Sequence, residues 1–210
     1  MLITASELTA TPGKSGHLVA LVGQMRDVLG KESGKDWSAW AAVTGRPYGT
    51  FLLSSRFDDY ADMIGAQMKV AASTAWAALA ATVEGVLAQP APTTLTEVIA
   101  VTGEISAPKQ FVLVTRAVID RSALGDAISW STQVAEYVTK VTGVSTIVGT
   151  SAAGRMFEVS WLGGVDTPAE LDKMNAINTD AGYLEMISAA GTNQLFEQGA
   201  SERMLLAKLP

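Results

Sequence analysis

The constraint that dominates this 210-residue chain is internal: slid along itself by about 109 positions, it meets a second copy of its own pattern. Leu2 falls on Phe111 and Ala100 on Leu209, almost without gaps. Identities at that shift include Gly16 with Gly125, Gln24 with Gln133, Lys31 with Lys140, Gly34 with Gly143, Gly45 with Gly154, Arg46 with Arg155, Leu53 with Leu162 and Gln89 with Gln198. These identities are sparse. The weight rests on hydrophobic period and turn residues, which agree element by element. We read 1–102 as the first unit, 109–210 as the second and 103–108 as a short linker.

In the first copy, 2–10 is strand-like. Residues 15–31 carry apolar side chains at Leu18, Leu21, Val22, Met25, Val28 and Leu29, the spacing of a helix with one buried stripe, and Gly34 stops it. Residues 36–44 and 48–57 flank Gly45-Arg46-Pro47 and read as a hairpin. A helical stretch over 60–87, broken near Ser73 and Thr74, ends at Pro90 and Pro92, and 94–101 supplies a last strand. The second copy repeats the order: strand 111–119, helix 122–141 stopped by Gly143, strands 145–151 and 156–162 around Gly154, a helical stretch, and strand 203–209. Thr167-Pro168-Ala169-Glu170 is a helix start with hydroxyl cap, proline and returning glutamate.

Each unit is therefore β, α, β, β, α, β, the ferredoxin-like pattern. An antiparallel sheet with both helices on one face leaves its other face bare, and a second copy can cover it. The expected fold class is α+β: two tandem ferredoxin-like βαββαβ units whose antiparallel sheets pack face to face. That arrangement resembles the dimeric α+β barrel superfamily, which includes antibiotic-biosynthesis monooxygenase-like, EthD-like and NIPSNAP-like proteins. Here both halves would lie in one chain, as in chlorite dismutase-like members. The likeness spans nearly the whole chain and rests on element order, helix length and duplication.

The resemblance implies a pocket between each sheet and its own helices. In the first unit that points to His17, Trp37, Trp40, Tyr48, Phe51, Met68 and Trp76. The matching places in the second hold Asp126, Thr146, Gly149, Phe157 and Ser160, so the first is the expected pocket. The same aromatics also suit plain core filling. His17, the only histidine, is the candidate catalytic base or ligand, with Asp58, Asp59 and Asp62 as partners if the fold brings them close. Those aspartates equally suit an acidic helix start. Arg46 and Arg155, each after a turn glycine, are candidate anion-binding groups, or solvated turn residues.

Composition excludes more than it assigns. Without cysteine there are no disulfides and no thiolate metal sites, which agrees with a reducing, cytoplasmic setting. With one histidine besides, no metal centre is expected, and no cofactor. A chlorite dismutase-type haem would need a histidine in the second half, and none follows His17. The net charge of −6 divides evenly: seven basic and ten acidic residues up to Pro108, eight and eleven after it. With no dense basic patch, neither nucleic acid nor an anionic membrane surface is an expected partner. The N-terminus reads as a strand rather than a signal peptide, and 70–87 is too rich in Ala, Ser and Thr to span a bilayer. Gly149–Met156 imitates a phosphate loop but has Arg155 for the lysine and Met156 for the Ser or Thr. No Gly-x-Ser-x-Gly elbow supports a hydrolase.

Two functional readings follow. One is a protein that binds or converts a small apolar or aromatic metabolite without cofactor, in the manner of monooxygenase-like or EthD-like relatives. The other is a non-catalytic binding or scaffold protein with a filled pocket. Association into a homo-oligomer is expected in either case.

Overall fold

The structure, a computed structural model, describes residues 1–104 and 108–210; the expected linker 103–108 therefore lies partly outside the described residues. The first copy supplies β1 (Leu2–Thr9), α1 (Ser15–Ser33), β2 (Trp37–Thr44), β3 (Thr50–Phe57), α2 (Tyr60–Ala71), α3 (Thr74–Ala81) and β4 (Thr93–Thr102). The second supplies β5 (Phe111–Val118), α4 (Leu124–Thr142), β6 (Thr146–Ala153), β7 (Glu158–Val165), α5 (Pro168–Ala176), α6 (Ala181–Thr192) and β8 (Glu202–Lys208). The hydrogen-bonded strand order is β1-β3-β2-β8-β5-β7-β6-β4, with β4 back beside β1, the order of a closed barrel. Two compact units result, Met1–Glu97 with Leu206–Pro210, and Val98–Leu205.

Local chemistry explains where the helices begin and end. Gly34 and Gly143 close α1 and α4 in the left-handed conformation, at φ 70° and 74°, which glycine adopts without a Cβ penalty. The long helical stretch of the first copy breaks at Ser73, whose hydroxyl accepts the Trp76 N–H at 3.1 Å and caps α3. That stretch is helical only to Ala81; beyond it the Val83, Val86 and Leu87 N–H groups bond within turns, and Val83 and Val86 are buried. Asp59 caps α2 by accepting the Asp62 N–H, so the acidic cluster is a helix start. Thr167 and Glu170 form the expected reciprocal capping box of α5.

The duplication reaches single hydrogen bonds. In the first unit the Ser33 hydroxyl donates to the Leu29 carbonyl and accepts the Lys35 N–H; in the second, Thr142 does the same with Val138 and Val144. Strand register is conserved as well, with one shift. Trp37 faces Ser55 and Leu8 faces Phe51, while Thr146 faces Gly163 and Ala117 faces Val159. The second hairpin is one residue shorter, so the offset of 109 on β6 becomes 108 on β7. A one-residue slip turns every side chain to the other face. The structural counterpart of Leu53 is accordingly Trp161, not Leu162, and that of Phe51 is Val159, not Ser160.

Each sheet carries its helices on one face. In the first unit, Leu18, Leu21, Val22, Met25 and Leu29 of α1 pack on Leu8, Ala39, Phe51 and Leu53, with Trp37, Trp76 and Leu79 joining them. In the second, Ala127 and Ala135 of α4 meet Ala117, Val148 and Val159, ringed by Trp130, Trp161 and Phe196. The first core is aliphatic and leucine-rich; the second is built from small residues around three large aromatics.

Candidate functional site

The small residues leave space. A partly open cavity of about 270 Å³ lies in the second unit between its sheet and its helices. Its floor is the helix-facing side of β5, β6 and β7, supplied by Leu113, Thr115, Ala117, Thr146, Trp161 and Gly163. Its roof comes from α4, α5 and α6, through residues such as Val134, Val138, Met174 and Ile187. Ser201 and Arg203 complete the lining at the last strand.

An aromatic cluster forms one wall. Trp130, Trp161 and Phe196 meet edge to face, with centroids 5.3 to 6.1 Å apart. Both indole N–H groups are already committed, Trp130 to the Met186 carbonyl and Trp161 to the Ser131 carbonyl, each at 3.0 Å. The rings are thereby held in place, and what they offer a ligand is apolar surface. Around the roof, the Tyr137 hydroxyl donates to Asp180 at 2.7 Å, and a Cβ on Gly182 would strike that ring. The Asp180 carboxyl is held below its ordinary value by the Tyr183 N–H and by the Tyr137 hydroxyl, whose own pKa that bond raises. Asp180 is thus spent on capping α6 rather than turned toward a ligand.

The counterpart positions explain why this unit is open. Where the second unit has Thr146 opposite Gly163, the first has Trp37 opposite Ser55. The Trp37 indole donates to Ser33 Oγ at 3.1 Å and packs edge to face on Phe57. Where the second has Ala117 and Ala127, the first has the fully buried Leu8 and Leu18. Gly163 has a further use: a Cβ there would come within 2.4 Å of Met174 Cε, so the glycine admits that side chain onto the sheet.

The residues singled out in the first unit do not gather. Trp37, Phe51 and Trp76 belong to its packed core. Trp40 is buried on the opposite face of the sheet, its indole donating to Ser54 Oγ at 2.9 Å. His17, Tyr48 and Met68 are exposed, Tyr48 at 93% and Met68 at 68%. His17 makes no hydrogen bond or ion pair among the described residues. Arg46 Nε donates to Glu7 at 2.9 Å, whereas Arg155 is half exposed and 3.8 Å from Glu197. The aromatic and small residues of the second unit were not singled out. Their signal was the loss of bulk at Thr146, Ala117 and Ala127 relative to Trp37, Leu8 and Leu18 of the first copy.

Among the described residues, no helix is long and apolar enough to cross a membrane, and no three His, Asp or Glu side chains gather where they could hold a metal ion. No family model and no curated protein matches the chain. Solved structures do. A presumed monooxygenase from Fusobacterium nucleatum is similar with a TM-score of 0.73 at 11% identity, over 100% of this chain and 92% of its own. An anthrone oxidase-like protein is similar with a TM-score of 0.68 at 14% identity, over 100% and 91%. A presumed chlorite dismutase reaches 0.57 at 11%, over 100% and 96%. The chain shares the fold of these structures, with two ferredoxin-like units in tandem.

Proposed function

We propose that this chain binds one small apolar or aromatic molecule in the cavity of its second unit. The observation that carries the reading is the replacement of the first unit's Trp37 and Leu8 by Thr146 and Ala117 beside a rigid wall of Trp130, Trp161 and Phe196. A void of this size in a core forfeits packing and costs stability, so a cavity kept beside anchored aromatic rings argues for an occupant. Its volume suits a molecule somewhat smaller than a drug-sized ligand.

Conversion of the enclosed molecule is the extension suggested by structural neighbours described as a presumed monooxygenase and as anthrone oxidase-like. The lining contains no carboxylate and no imidazole. Within it, Tyr183, Thr115, Thr146 and Ser201 supply hydroxyls, and acid–base chemistry would fall to them or to the substrate's own ionisable groups. Calorimetric titration with 2-naphthamide tests the binding reading. Saturation at one molecule per chain is expected. No saturable binding, with no small molecule found on the purified protein by native mass spectrometry, favours the scaffold alternative instead.

Association of chains belongs to the same proposal. Tyr60, Ile64 and Met68 lie four residues apart on one face of α2 and are 47%, 49% and 68% exposed. Sedimentation should show a multiple of the chain mass. A single-chain mass at every concentration would remove the oligomer from the reading.

A further inference from the structure

The cavity has one charged side chain in its lining, Arg203 of β8. Its situation differs from that of the ion-paired arginines. Arg26 pairs with Asp27, Arg46 with Glu7, Arg155 with Glu197, and Arg116 with both Glu158 and Glu202. Arg203 has no hydrogen bond or ion pair among the described residues, although the chain as a whole carries a net charge of −6. Geometry keeps it so. The adjacent carboxylate, Glu202, points to the opposite side of the strand by the two-residue alternation and reaches Arg116, with 3.5 Å between the charged atoms. The Arg203 side chain is exposed. It is also specific to this unit. At the counterpart position the first unit has Thr94, whose hydroxyl bonds the Ala5 carbonyl. The open cavity and the unpaired cation therefore occur in the same half of the duplication.

Resting on the proposed binding role of this cavity, we infer that its ligand is an aromatic carboxylate, the ring system lying against Trp130, Trp161 and Phe196 and the carboxylate turned to Arg203. Guanidinium and carboxylate match as planar, two-pronged partners. In a protein of net negative charge, a local cation is also what an anionic ligand needs to enter.

The matched probes 2-naphthoate and 2-naphthamide differ in charge at nearly constant shape. Wild-type protein should bind 2-naphthoate about 5-fold more tightly than 2-naphthamide, a preference that shrinks as salt is raised. Arg203→Gln should bring the two affinities together by weakening 2-naphthoate alone, and Arg203→Lys should keep part of the preference. Equal affinities in the wild type, or a preference that survives in Arg203→Gln, would overturn the carboxylate inference while leaving the cavity as a binding site. Failure of both probes to bind wild-type protein would remove the binding role itself, and the inference with it.

Discussion

Thr146→Trp should lower the affinity for 2-naphthamide by about 100-fold or more while leaving the chain folded, since even one extra methylene in a filled pocket can cost 10- to 200-fold. The substitution gives the second unit the residue that the first already has. In the first unit the Trp37 indole donates to Ser33 Oγ, and Ser33 is tied to Leu29 and Lys35. The second unit has kept that acceptor: Thr142 Oγ1 holds the same two backbone bonds, to Val138 and Val144. An indole at position 146 would thus find its partner and occupy the floor of the cavity. Thr146 Oγ1 is buried with no hydrogen-bond partner, so its removal forfeits no bond. Melting at or above the wild-type temperature, with binding lost, is the expected pair of results. Ala117→Leu, which imports the residue at Leu8, gives an independent block from another strand. Binding that persists in both variants at normal stability would place the ligand elsewhere.

Leu18→Ala should destabilise the first unit by about 3–5 kcal/mol, the range for emptying a fully buried leucine site. Leu18 is 0% exposed and sits where α1 meets the leucine-rich face of its sheet. At roughly 2–4 °C per kcal/mol for a chain of this length, the first thermal transition should fall by about 10 °C. The counterpart position in the second unit already holds Ala127, also 0% exposed, which shows that the backbone accepts alanine there when larger rings surround it. A loss below about 1 kcal/mol in urea unfolding would mean that the neighbouring leucines collapse into the space.

The element order was legible because period and punctuation are local. The stripe from Leu18 to Leu29, the glycines at 34 and 143, and the cap at Thr167 each act within a few residues, and each appears in the structure where the sequence places it. Two features were not legible from such patterns. The stretch 82–87 reads as helix but forms turns that bury Val83 and Val86 in the core of the first unit. The hairpin between β6 and β7 is one residue shorter than its twin, which moves Trp161 onto the helix-facing side and turns Leu162 away. A repeat offset read along the chain cannot detect that exchange, because side-chain facing depends on register.

Taken alone, the amino-acid order established a duplication, two α+β units and the buried stripe of the first helix, because these follow from spacing within segments of ten to twenty residues. Tertiary packing decided where the cavity of the second unit lies. Aromatic side chains attract attention in a sequence, yet Trp37, Phe51 and Trp76 fill space in the first unit. The cavity of the second lies where Thr146 and Ala117 stand in place of Trp37 and Leu8. Empty volume is a property of what surrounds a position from several elements at once, and no single segment records it.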